Sequence, residues 1–354
     1  MERGSLCGKG GDSFIELRRY FYCGFGSGLC RFVFHVGFAL GLLLGSVIGS
    51  TDAASVFSIL RSRRLSLKDR TASLLEFESG SNDPMAYMMT LFSLSLIQGN
   101  VEASGIVLML FLQIGLGLLV GAVIAFLSLY CIKTVEIPTD GFELIFVLGA
   151  VLLSYALSSS IGGNGYLAVY LTGIILGNRE IKQKKELVQF FDALTGVMQM
   201  LLFFLLGLLS TPSKLPGVVL QGLAIFLFLT FVARPLAVFS LMHFFRASRR
   251  KKLLLSFSGL RGAASIVFAI LAVETVGRGD YIYHLVFFIV LLSILFQGSF
   301  LPCVAERLDM IDREGDVMKT FTDYTEEKEV QFIEFIVPSG HNWAGQRIKD
   351  ILMP

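Results

Sequence analysis

The sequence predicts an all-α, polytopic membrane protein, and three observations carry that prediction. The 354 residues are 54% hydrophobic and only 16% charged, with a mean hydropathy of +0.70, a balance that suits a bilayer better than water. Between residues 33 and 304 the apolar residues fall into runs of roughly the 20 residues that a helix needs to cross the hydrocarbon core. Lys and Arg gather in alternate loops between those runs. A net charge of +2 gives no electrostatic footprint for nucleic acid.

In chain order, nine spans are expected, at about 33–60, 71–98, 105–131, 142–161, 163–177, 188–211, 217–245, 252–274 and 281–304. The stretch 142–178 is divided at Gly162-Gly163-Asn164-Gly165, which suits a turn and not a helix interior. One set of alternate loops holds fifteen basic residues: Arg61, Arg63, Arg64, Lys68, Arg70, Lys133, Arg179, Lys182, Lys184, Lys185, Arg246, Arg249, Arg250, Lys251 and Lys252. The other set holds Lys214 and Arg278. By the positive-inside rule the first set, and the tail after residue 305, is expected in the cytoplasm.

The ends have a different character. Residues 1–32 form a basic leader with Arg3, Lys9, Arg18, Arg19 and Arg31, which the topology places outside; it lacks a signal-peptide layout. A chain start that is truncated or mis-assigned is the expectation. A polar linker is expected over 306–329. Residues 330–337 alternate like a strand, and Trp343 to Met353 suit a short amphipathic helix. Over 330–354 this is the beginning of a cytoplasmic α/β domain, too small to bury a core alone. The five cysteines show no CxxC pair and the four histidines no HExxH, so neither a metal centre nor a redox site is expected, and no cofactor.

Ionisable residues inside spans are costly and mark pathways or partners. Glu76, Glu143 and Asp192 fall near span ends. The deeper ones converge on two regions. The first joins Thr51-Asp52-Ala53 with Glu78-Ser79-Gly80-Ser81-Asn82-Asp83-Pro84. Gly45, Gly49 and Ser50 permit an interrupted helix before Asp52, and Gly80 with Pro84 predicts a distorted one around Asp83. Ser79 and Asp83, four apart, share a helix face. Freed carbonyls, hydroxyls and carboxylates make an oxygen cage for a dehydrated hard cation. The second region is Ser258-Gly259-Leu260-Arg261-Gly262-Ala263. Arg261 needs a carboxylate there, and Glu78 is the expected partner, forming a structural pair and giving Asp83 the titrating role. Arg234, before Pro235, is a second buried cation. Partial desolvation disfavours charged Asp83 while a bound cation favours it, so proton and cation exclude one another. The Gly173–Gly177 spacing reads as helix packing.

Taken together, Glu78-Ser-Gly-Ser-Asn-Asp83-Pro, Thr51-Asp-Ala, Gly165-Tyr-Leu-Ala-Val-Tyr-Leu-Thr-Gly173 with Gly177-Asn178, and Gly259-Leu-Arg-Gly-Ala263 resemble the NhaP-type monovalent cation:proton antiporters, relatives of the sodium/hydrogen exchangers, over about residues 38–308. The resemblance implies two inverted repeats with crossed, interrupted helices. It implies Asp83 as cation and proton carrier, with Asn82 its partner, the Thr51 carbonyl and Ser79 hydroxyl as ligands, and Glu78 with Arg261 as the stabilising pair. It further implies one-for-one exchange in a multi-pass protein of the inner membrane, and a homodimer when full length.

The fragment 330–354 resembles the start of a TrkA-C domain, which favours potassium over sodium and leaves open a nucleotide or other small ligand there. Against the family pattern, the first motif reads Thr-Asp-Ala instead of Thr-Asp-Pro, and roughly four N-terminal helices are lacking. Two alternatives stand beside exchange: a potassium channel-like or regulatory membrane protein, although no TVGYG filter occurs, and an inactive, truncated antiporter. An enzyme is not expected, since no serine–histidine or zinc constellation occurs.

Overall fold

The computed structural model describes residues 38–63, 65–99, 103–134, 141–179, 181, 184–245, 247–276 and 279–312. The leader, most of the expected linker and the TrkA-C-like segment lie outside the described residues.

Helices occupy the described parts of all nine stretches. The first is broken: α1 (Phe38–Gly49) stops where Ser50, Thr51 and Asp52 run on without helical bonding, and α2 (Ala53–Ser62) resumes after them. Then come α3 (Thr71–Gln98), α4 (Ala103–Thr134), α5 (Phe142–Ser160), α6 (Gly165–Gly177) and α7 (Lys184–Leu209). The next span is α8 (Val219–Phe228), a π-helical turn at Leu229–Ala233, and α9 (Arg234–Phe244). The second broken helix follows as α10 (Arg249–Phe257) and α11 (Ala263–Thr275). The last span is α12 (Gly279–Leu292), a π turn at Ser293–Gly298, and α13 (Ser299–Arg307). Among the described residues, six stretches are long and apolar enough to cross a membrane, and α6 and α11 are shorter apolar helices.

Both π turns lie just upstream of a proline, Pro235 and Pro302. Proline's ring clashes with the carbonyl four residues back, and a wide turn moves that carbonyl aside. Helix α3 behaves otherwise. It is helical without interruption from Thr71 to Gln98 despite Gly80 and Pro84, so the helix is not broken around Asp83. Asn164 Nδ2, at the start of α6, donates to Pro84 O at 2.8 Å and ties the two helices together there. Gly80 serves a close approach, since any Cβ there would strike the ring of Tyr170 on α6.

The main core gathers α1, α3, α8, α11 and α12 around Leu43, Val47, Ala86, Phe268, Ile282 and Ile289. A second cluster, with Val56, Leu60, Leu75, Leu254 and Leu260, packs α2 and α10 against the start of α3. Helices α4 and α6 cross closely where a Cβ on Gly121 would stand 2.6 Å from Ala168 O. Gly173 has open space beside it, so the packing expected of the Gly173–Gly177 spacing falls to Gly117 and Gly121 instead. Outward faces stay apolar: Phe111, Leu119, Phe204 and Leu208 are exposed, as lipid-facing residues must be. A two-stranded antiparallel ladder pairs β1 (Ser66–Leu67) with β2 (Ile311–Asp312).

Candidate functional site

The two broken helices meet at their breaks. Asp52 N–H donates to Leu260 O at 2.8 Å, so the extended stretch 50–52 lies against 258–262. Each break exposes helix ends whose unpaired N–H or C=O groups carry partial charge. Four such ends converge in a buried interior, and charged side chains answer them.

Asp52 answers the positive ends. It caps α2, accepting from Ser55 N at 3.0 Å on Oδ1 and from Ser55 Oγ at 2.6 Å on Oδ2. Its carboxylate also lies directly against Gly262, the residue preceding α11, where a Cβ would collide with it. Gln199 on α7 adds a long contact, donating from Nε2 to Asp52 Oδ1 at 3.4 Å. The arginines answer the negative ends. Arg261 Nη1 donates to the carbonyls of Ile48 and, at 3.2 Å, Ser50, at the end of α1. Arg234 Nε donates to Leu255 O at 3.1 Å, in the last turn of α10, and its side chain lies across Gly259.

Glu78, which sequence reasoning pairs with Arg261, has Arg234 Nη1 2.9 Å from its Oε1. Both are deeply buried, Arg234 with 1% of its surface exposed. The geometry is that of a close ion contact more than a well-angled hydrogen bond, since Nη1 has no acceptor in hydrogen-bonding alignment. Arg234 reaches Glu78 because it rises from the π turn over Gly259, between α10 and α3.

Asp83 projects from α3 toward the first break. It is half-buried, and Ser50 Oγ donates to its Oδ1 at 2.5 Å. One turn away Ser79 Oγ donates to Thr51 O at 2.6 Å and accepts from Ala53 N at 3.1 Å. Buried Asn82 donates from Nδ2 to Thr51 Oγ1 at 2.7 Å. Thr51, Ser79, Asn82 and Asp83 are thus together, and Asp52 faces helix ends beside them. Ser79 and the Thr51 carbonyl, both expected as ion ligands, are bonded to each other and fasten the break to α3. Sequence reasoning missed Ser50 as a partner of Asp83, although a hydroxyl just before Thr51 was a legible signal. It also missed the capping role of Asp52, which an Asp followed by a helix-forming run announces.

Helices arranged this way, with two broken segments meeting at their breaks beside the helix that carries Glu78 and Asp83, define a multi-pass membrane protein class with interrupted helices. The sequence profile of the sodium/hydrogen exchanger transmembrane family matches residues 18–307, and the chain belongs to that family. The K(+)/H(+) antiporter NhaP2 of Shewanella sp. (strain MR-4) is 35% identical over 334 residues, 92% of this chain and 58% of the relative. The K(+)/H(+) antiporter NhaP of Alkalimonas amylolytica is 38% identical over 272 residues, 76% of this chain and 47% of the relative. The Na(+)/H(+) antiporter NhaH of Halobacillus dabanensis is 27% identical over 297 residues. The chain therefore spans under two thirds of the length of the potassium-named relatives. The sodium proton antiporter MjNhaP1 of Methanocaldococcus jannaschii has the same fold, with a TM-score of 0.69 at 23% identity, over 84% of this chain and 78% of that one.

Proposed function

We propose that this protein is a secondary transporter that exchanges a monovalent cation, potassium in preference to sodium, for protons at Asp83. One observation carries the reading: a half-buried carboxylate, hydrogen-bonded to Ser50, faces a break in the membrane interior where helix ends are already answered by Asp52, Arg234 and Arg261. Asp83 then serves the ion while the other charges serve the fold. The Ser50, Thr51 and Ser79 hydroxyls and the Asn82 amide offer oxygens beside it, the donor type that suits a hard cation. A proton on Asp83 removes the charge that attracts the cation, and a cation resists protonation, so each displaces the other. Alternating access through movement of the crossed helices couples the two gradients. The names of the potassium-exchanging relatives support the choice of ion.

The loop bias, fifteen basic residues against two, supports a cytoplasmic position for the α2–α3 and α9–α10 loops and for the tail, in an inner membrane. Homodimerisation and a small ligand at the complete cytoplasmic domain belong to the same proposal.

The test is reconstitution in vesicles with an acidic interior and a pH-quenched dye. Adding potassium or sodium should restore fluorescence, and Asp83→Asn should abolish the response, because an amide cannot cycle a proton. Cation-driven proton flux that persists in Asp83→Asn would sink the reading. A silent wild-type protein would favour the inactive alternative.

A further inference from the structure

The two breaks are built differently. The first has its own cap, Asp52, and is fastened to α3 by Ser79 and Asn82. The second has Gly262 at the cap position of α11, which offers no side chain. Its backbone groups are met from another helix. Gln297 Nε2 donates to Phe257 O at 3.2 Å on one lip of the break. Ser293 Oγ accepts from Arg261 N–H at 2.9 Å on the other lip, and its hydroxyl donates to Gln297 Oε1 at 2.6 Å. The two side chains bridge the gap, and both are buried.

Both also lie in the π turn Ser293–Gly298, a helix distortion often found at functional sites. The same turn seats on both broken helices: a Cβ on Gly298 would stand 3.1 Å from Ile59 Cδ1 of α2 and 3.4 Å from Leu260 Cδ2. Beside the break is a cavity of about 10 Å³, with Gln297, Arg234, Arg261 and Gly259 in its lining. That is near the least room a water needs.

We propose that Ser293 and Gln297 are positioning residues for the cation site. They hold the second break so that Leu260 O receives Asp52 N–H, and that bond sets the first break, whose Ser50 meets Asp83. Neither touches the ion. The inference rests on Asp83 being the exchange site.

The experiment measures initial cation-driven proton flux against cation concentration in vesicles, for wild type, Gln297→Ala and Ser293→Ala, beside thermal unfolding in detergent. Both variants should raise the half-saturating cation concentration about tenfold, the effect of a buried polar group losing its partner, with maximal rate within about twofold. Ser293→Thr, which keeps the hydroxyl, should restore affinity. A lowered unfolding temperature with unchanged half-saturation would mean a structural role only and overturn the proposal. If Gln297→Ala does not fold, Ser293→Ala decides by the same readout. A wild type without flux overturns the exchange reading and this one with it, whereas flux with unaltered half-saturation in both variants overturns this one alone.

Discussion

Glu78 and Arg234 show how much a partner's identity matters in a low-dielectric interior. Removing one member of a buried ion pair strands the other charge, at roughly 3–5 kcal/mol, whereas replacing both with apolar groups of similar volume is often neutral. Glu78→Gln should therefore lower the unfolding temperature in detergent markedly, and Glu78→Leu combined with Arg234→Met should recover much of it. If Glu78→Gln melts like wild type, the contact does not stabilise the fold. Sequence reasoning named both arginines as buried and assigned Glu78 to Arg261, leaving the contact with Arg234 unforeseen. Each has a small or kinking residue beside it, Gly259 and Gly262 around Arg261 and Pro235 after Arg234, and each sits in an otherwise apolar run. That the Arg234 guanidinium reaches α3 depends on how two helices cross.

Among the elements, the short ladder of β1 with β2 ties the exit from the last helix to the loop between α2 and α3. Lys68 N donates to Met310 O at 2.9 Å beside it. Asp309 reinforces the join, meeting Lys68 Nζ and Arg250 Nη1 at 3.0 Å each. The hydrogen bond and charge of Lys68, with Arg250 adding to them, hold the Asp309 carboxyl below the usual carboxylate range. A carboxyl lowered in the folded state stabilises above its unfolded pKa, about 3.9, and loses that contribution as pH falls through its folded value. The join should therefore hold at neutral pH and weaken only in strong acid. At neutral pH, Asp309→Asn should speed hydrogen exchange of the Lys68 amide, and the difference from wild type should vanish well below pH 4. Equal exchange at neutral pH would show that these exposed pairs contribute nothing, as many surface pairs do.

At the scale of the molecule, the two breaks meet in one buried interior, where Asp52, Arg234 and Arg261 answer the helix ends. The orientation proposed from the basic loops has a direct test. A single cysteine placed at exposed Arg250 in a cysteine-free background should react with an impermeant thiol reagent only when the cytoplasmic face is open. One placed at exposed Ser213 should react in intact cells. The reverse pattern would invert the topology.

Most of the spans were legible without coordinates, because hydropathy is a property of consecutive residues and a helix satisfies its own backbone within the segment. The turn at Gly162–Gly165 and the first interruption near Asp52 were legible for the same reason: glycines and small polar residues act locally. Tertiary structure alone decided that α3 stays helical through Pro84, that Arg234 faces Glu78, that Ser50 meets Asp83, and that Ser293 and Gln297 span the second break. Those pairings join residues far apart in the chain. No periodicity records them, since they exist only once helix ends with unanswered charge are brought to one point.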